Sequence, residues 1–285
     1  MAARLRITAA RDRLAGELGF ALITVLWGAM ILAVIVASVL ATSRTETRLT
    51  RNRSQLAELD AIADAALNIA ILQLLDATAP RPTADATPFT VDFARHRVRV
   101  SVQDEAGKVD LNRAPEELLR GLLITVGLDP DAAQALVDKI LDWREPGIGK
   151  RLNGAKTDDY RAAGLSYGPR NGPFESVEEL QLVLGVNEQL YQRLAPSLTV
   201  YSQTPWPDPA FAGSDVLWSL PGMDEARVAA LLGARVPGNG SAVLLGHAFT
   251  IAGEVNGADA VRVAKKAVIR LTGFPNPPYQ IYRWN

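Results

Sequence analysis

The hydrophobic pattern changes period several times along the chain, and each change marks an element. From Phe20 to Ala41 the sequence is almost wholly apolar, FALITVLWGAMILAVIVASVLA, inside a charge-free stretch of 26 residues between Glu17 and Arg44. A run of that length predicts a helix that crosses a membrane with some tilt. Arg4, Arg6, Arg11 and Arg13 precede it, against only Asp12 and Glu17. Positive flanks stay cytoplasmic, so the long C-terminal part is expected on the other side, in a single-pass topology. The alternative is a cleaved secretory signal, whose apolar region is shorter than this run.

Beyond Arg53 the period becomes helical and amphipathic. Leu49, Leu56, Leu59, Ala63, Leu67, Ala70 and Leu74 fall on one face, while Arg51, Arg53, Glu58, Asp60 and Asp64 fall on the other. No Gly or Pro occurs from Ala29 to Ala79. One continuous helix from about Phe20 to Asp76 is expected, roughly 85 Å long at 1.5 Å per residue. Its second half has to lie on a folded body.

Three prolines in residues 77–88 end that helix. The period then becomes two: FTVDF (89–93) and RVRVSV (97–102), with Val98, Val100 and Val102 sharing a face, predict an antiparallel hairpin followed by a turn at 104–107. Helical texture runs from Ala114 to about Leu198, opening on PEELLRGLL with Pro and acids in the first turn. Tyr201 to Gly213 is Pro-rich and aperiodic, and a short helix is expected over Asp215 to Leu232. Strand patterns return in AFTIAGEV, VRVAKKAVIRL and YQIYRW, with Asn256-Gly257 as a hairpin-turn pair. The fold class is α+β: a long N-terminal transmembrane helix packed on an antiparallel sheet, with a large all-helical insertion. The expected parts are 20–42 in the membrane, 43–113 together with 199–285 as the sheet domain, and 114–198 as the insertion.

The helical stretches repeat. LLITVGLDPDAAQAL (122–136), LQLVLGVNEQLYQRL (180–194) and LWSLPGMDEARVAAL (217–231) each place Leu five before a Gly and nine after it. Gly127, Gly185 and Gly222 are expected at tight turns between helices, with positive φ. Asp129, Asn187 and Asp224 then cap the helices that follow. The pattern resembles the helix-hairpin-helix motif, whose turn amides hold a nucleic-acid phosphate. A membrane-anchored DNA-binding protein is therefore the alternative function. Charge argues for a packing role and no nucleic-acid partner. Outside residues 1–19 there are 26 basic and 29 acidic residues, and Asp129, Asp131, Glu188, Asp224 and Glu225 stand where a phosphate would approach.

The chain has 285 residues, 48% of them hydrophobic, with a net charge of −1 and no cysteine. It can bury a core, and it holds no disulfide, thiolate metal site or cysteine nucleophile. Only His96 and His247 are available for imidazole chemistry. There is no GxSxG, HExxH or CxxC, and no enzyme is expected. GKRLNGAKT (149–157) misses the phosphate-loop pattern, because Ala155 separates Gly154 from Lys156. Asp138, Asp142, Glu145, Asp158 and Asp159 are the metal candidates. No cofactor is expected except possible calcium, which takes six to eight oxygens.

Taken in order, these segments resemble a family. ELG-FALITVLWGAMILA is similar to the class III leader and first helix of type IV pilin-like proteins. DEAGKVDLNRA (104–114), ILDWRE (140–145), NGAKTDDY (153–160), RNGPFESVEEL (170–180), LTVYSQTPWPDPAFA (198–212) and PPYQIYRWN resemble the minor pseudopilin K family of type II secretion. The resemblance implies a pilin-like fold and a leader of residues 1–19. A prepilin peptidase would cut it between Gly19 and Phe20, and the new N-terminus would be methylated. It implies residence in the inner membrane with the C-terminal domain in the periplasm. The implied partners are other minor pseudopilins of the I and J types and the major pseudopilin. Ordinary members carry Glu five residues into the mature chain; here Thr24 stands there, as in the K type. The resemblance also implies calcium near Asp142, Glu145, Asp158 and Asp159. Pro146-Gly147 and Lys156 depart from that pattern, so little calcium dependence is expected.

Overall fold

A computed structural model describes residues 5–76, 78, 81–235, 245–258 and 261–285, with side chains from 22 to 38, at 46 and from 49 onward within those ranges. The chain forms two compact units, Met1–Glu58 and Leu59–Asn285.

The first unit is the N-terminal part of one helix, α1 (Leu5–Leu75). The helix continues unbroken past the apolar run, as the absence of Gly and Pro predicts. Large apolar side chains from Leu22 to Val36 are 49–72% exposed. Among the described residues no helix is long and apolar enough to cross a membrane. Phe20, Ala21 and Val39 to Ala41, which complete the apolar run, are outside the described side chains. Leu49 and Leu56 are 50% and 46% exposed.

The second unit begins where α1 starts to bury its face. Leu59, Ile62, Ala63, Ala66, Leu67, Ala70, Ile71 and Leu74 pack on a five-stranded antiparallel sheet. Its strands are β1 (Phe89–Phe93), β2 (His96–Asp104), β5 (Ala248–Asn256), β6 (Arg262–Leu271) and β7 (Tyr279–Trp284), in the order β1-β2-β5-β6-β7. Period-two alternation sends Val98, Val100 and Val102 inward, opposite Val255, Gly253 and Ile251 of β5. Small residues let α1 come close. A Cβ at Gly253 would lie 3.2 Å from Leu67 Cδ2, and one at Gly257 would lie 2.6 Å from Leu59 Cδ1. Asn256-Gly257 is therefore not the two-residue turn its composition suggests. Asn256 pairs with Arg262, so the connection is five residues long, and Gly257 has no positive φ. It is small because Leu59 occupies the space.

Between β2 and β5 lies the helical block. Glu105–Gly107 is one 3-10 turn, then β3 (Val109–Asp110), α2 (Glu116–Thr125), α3 (Pro130–Arg144), α4 (Thr157–Ala162), a 3-10 helix Val177–Leu182, α5 (Glu188–Leu194) and β4 (Leu198–Thr199). β3 and β4 pair in parallel and hold the two ends of the block side by side. The expected short helix over Asp215 to Leu232 is in fact two, α6 (Ser214–Ser219) and α7 (Glu225–Gly233), separated by Pro221-Gly222. The helical core does not stop at residue 198, where the sequence pattern changes. Ala212, Val216, Leu217 and Val228 belong to it, together with Leu118, Leu122, Leu136, Ile140, Leu180 and Leu194.

Candidate functional site

The two cores meet at the segment 104–114, where the chain leaves β2 for the helical block. Asp104, Glu105 and Asp110 are all but fully buried. A buried carboxylate is costly unless its lone pairs are met. Asp104 accepts from the Ala106 amide at 2.8 Å and faces His247 Nδ1 at 2.7 Å. Glu105 accepts from Lys108 Nζ at 2.7 Å, from the Thr250 hydroxyl of β5 at 2.6 Å and from the Thr199 hydroxyl of β4. One carboxylate thus ties the sheet to the closing strand of the block. Asp110 accepts from the Asn112 and Gln203 amides, both at 2.8 Å, and from the Ser202 hydroxyl at 3.1 Å. Gly107 is small because a Cβ there would overlap the Phe211 carbonyl. The hydrogen bond to Asp104 raises the His247 pKa above its ordinary value, against burial, which lowers it.

The same segment holds the far end of the helical block. Asn112 exchanges two hydrogen bonds with the Phe174 backbone: its amide donates to the carbonyl at 3.0 Å, and its side-chain oxygen accepts from the N–H at 2.7 Å. Arg144 caps the carbonyls of Leu111 and Ala114 at 2.6 and 2.9 Å. Trp143 Nε1 donates to Glu179 at 2.8 Å, and Arg170 reaches the same carboxylate. The C-terminus joins in: Arg270 donates to the Tyr201 carbonyl at 2.7 Å, Tyr201 stacks on Tyr282, and Arg283 pairs with Glu178 at 2.6 Å. Motifs that lie far apart in sequence therefore close one interlock.

Gly127, Gly185 and Gly222 sit at three exposed helix turns with φ of 98°, 100° and 74°. Each is followed by a working cap. Asp129 accepts from the Asp131 and Ala132 amides, Asn187 from Leu190 and Asp224 from Arg227. Each of the first two turns has a cation from the other hairpin beside it. Arg193 of α5 donates to the Val126 carbonyl at 2.7 Å, while Lys139 of α3 reaches the second turn, where a Cβ at Gly185 would lie 3.5 Å from its Nζ. At the third, Arg227 donates to the Gly222 carbonyl. These cations were not predicted; they come from the helix after a hairpin or from the neighbouring hairpin, a relation that spacing alone does not reveal.

The expected calcium residues do not converge. Asp158 pairs with Arg161 on the surface, its side chain 94% exposed. Both oxygens of Asp159 are engaged, by Lys150 Nζ and the Lys156 amide. These bonds lower the Asp159 pKa, the bond from Lys150 first. Glu145 accepts from Arg151 at 3.0 Å, and buried Asp142 accepts from the Arg151 amide. Among the described residues no group of three or more His, Cys, Asp or Glu is placed to hold a metal ion. The donor set does not fit calcium, because Arg151, Lys150 and Lys156 already stand among the carboxylates. Gly19 and Phe20 lie outside the described side chains, within α1.

Residues 100–203 match the family described as type II secretion system (T2SS), protein K. Type II secretion system protein K of Pseudomonas aeruginosa is 31% identical over 120 residues, which is 39% of this chain and 35% of that one. Its counterpart in Dickeya chrysanthemi is 33% identical over 84 residues (30% of this chain, 23% of the relative), and that of Klebsiella pneumoniae 35% over 82 (29% and 25%). The matched stretch thus spans 23–35% of these relatives' length. The fold is similar to a chain in the crystal structure of the GspK-GspI-GspJ complex from the enterotoxigenic Escherichia coli type 2 secretion system. That likeness has a TM-score of 0.58 at 13% identity and covers 84% of this chain and 98% of that one. The interlocked segment lies within the match, and residues 100–203 of this chain are similar to the type II secretion system protein K family.

Proposed function

We propose that this chain is a minor pseudopilin that sits at the tip of the type II secretion pseudopilus and starts its assembly in support of protein export. The observation that carries the reading is the attachment of residues 100–203 to the sheet, through the bonds of Glu105 to Thr250, Tyr201 to Arg270 and Glu178 to Arg283. Such a block adds bulk to the pilin-like body, on which a further subunit would otherwise stack. The N-terminus supports the same placement. Large apolar side chains from Leu22 to Val36 are exposed along α1, and the full run from Phe20 to Ala41 has the length of a membrane anchor. In pilin-like fibres a carboxylate five residues into the mature chain pairs with the terminal amine of the neighbour above. A membrane carboxylate is costly without such a partner. A tip subunit has no neighbour above, and Thr24 avoids the cost.

In this reading a prepilin peptidase cuts after Gly19, the inner membrane holds the anchor, and the folded body lies in the periplasm. I- and J-type minor pseudopilins and the major pseudopilin are the partners. The test is labelling of sheared pseudopili with an antibody against the helical block. Label confined to one end of each filament is expected; label along the length would sink the tip assignment.

A further inference from the structure

Two carbonyl oxygens from the end of α3 and a side-chain oxygen from Asn171 converge on the Lys156 ammonium. It donates to the Asp142 carbonyl at 2.7 Å, the Asn171 side-chain oxygen at 3.0 Å and the Glu145 carbonyl at 3.4 Å. An ammonium has three N–H donors, and here it has three acceptors. Two of them are carbonyls at the C-terminal end of α3, where the last turn leaves carbonyls without partners and favours positive charge. The surrounding carboxylates hold the loop between α3 and α4. Asp138 accepts from the Asn153 amide at 3.0 Å, Asp142 from the Arg151 amide, and Asp159 from the Lys156 amide at 2.8 Å. Gly154 lies so close to Asp142 Oδ2 that a Cβ would overlap it. Carbonyls, an amide oxygen and flanking carboxylates around one positive centre are the donor types that a hard divalent cation takes. Here the positive centre is covalently part of the loop.

We propose that Lys156 is an internal cation, its ammonium closing the loop from Glu145 to Asn171 in the place a divalent ion would fill, so that the loop is held without metal. The loop's exposed tip, with Ile148 and Leu152 98% and 93% exposed, is then presented in one fixed arrangement at any calcium concentration. The side chain at 156 decides which cation is used. A carboxylate there would remove the tethered charge, add two oxygens and leave a cradle for a divalent ion.

The experiment uses the full chain in detergent, with tryptic cleavage after Lys150 and Arg151 followed by mass spectrometry, in EDTA and in calcium chloride. For the wild type, cleavage should change less than about twofold between the two, since only a ligand that binds the folded loop protects it. Lys156→Ala should be cut about tenfold faster in both conditions, because opening exposes the loop. Lys156→Glu should be cut equally fast in EDTA and regain about fivefold protection in calcium at about 1 mM. Wild-type protection that needs calcium would overturn the proposal. So would a Lys156→Ala loop as resistant as wild type, or a folded Lys156→Glu chain indifferent to calcium. If Lys156→Glu fails to fold, the wild-type and alanine arms decide the matter.

Discussion

Asn112→Ala tests whether the interlock holds the helical block together. The alanine removes both hydrogen bonds to the Phe174 backbone, at 2.7 and 3.0 Å, and leaves that N–H and carbonyl without their partner. The Phe174 side chain is only 3% exposed, so water has restricted access. Each bond contributes about 1 kcal/mol net, and each stranded backbone group adds up to about 1 kcal/mol more where water cannot replace the partner. The sum is about 2–4 kcal/mol. For a folded unit of this size that corresponds to a fall in melting temperature of about 5–10 °C. Thermal unfolding of the detergent-extracted chain, followed by near-ultraviolet circular dichroism, reads it directly. Asn112→Asp keeps the acceptor and loses the donor, so it should fall between wild type and alanine. A melting temperature within about 2 °C of wild type for Asn112→Ala would refute the reasoning, because two partly buried bonds cannot vanish without cost.

The three other expectations concern backbone, pH and processing. Gly127→Val and Gly185→Val should each cost about 1–3 kcal/mol, since φ near 100° is strained for a β-branched residue; a chemical denaturation midpoint unchanged from wild type would contradict it. His247 has a raised folded pKa, mainly from its Asp104 bond, with Asp208 adding to it while burial and Arg270 oppose it. Its contribution is therefore fully present below the unfolded value of about 6.5 and fades as pH rises through the folded pKa. The melting-temperature gap between wild type and His247→Gln should narrow from pH 5.5 to pH 9; a constant gap would argue against the ion pair. Gly19→Val should block leader removal, read as a retained Met1 by N-terminal sequencing, whereas a wild type that keeps Met1 or is cut near Ala41 would remove the processing site.

The elements with a clear period are readable from sequence. Val98, Val100 and Val102 alternate and are fully buried, and the face Leu59–Leu74 packs as spaced. The three hairpin glycines are readable too, because positive φ, a helix cap and flanking leucines leave a fixed signature. Other features depend on tertiary neighbours. Asp104, Glu105 and Asp110 look like ordinary turn acids, and only the arrival of Thr250, Thr199 and Gln203 from distant segments makes them buried anchors. The available signal was three carboxylates at the end of an apolar strand pattern. Gly257 reads as a turn residue, but its size is set by Leu59. Residues 214–233 lie past the apparent end of the helical block, yet Val216, Leu217 and Val228 complete its core. Excising 115–197 would therefore strip those residues of their packing, and the remaining body is not expected to fold cleanly. The acids near Asp142 read as a metal set because the positions of Lys150, Arg151 and Lys156 relative to them are fixed only by the fold.

Co-purification tests the central claim most directly. Tagged full-length chain, extracted from the inner membrane with its own I- and J-type minor pseudopilins, should elute as one stable complex at equal stoichiometry and show no salt-sensitive binding to duplex DNA. A chain that elutes without either pseudopilin, and shifts duplex DNA in a way that weakens steeply with added salt, would contradict the pseudopilin account and favour a membrane-anchored DNA-binding protein.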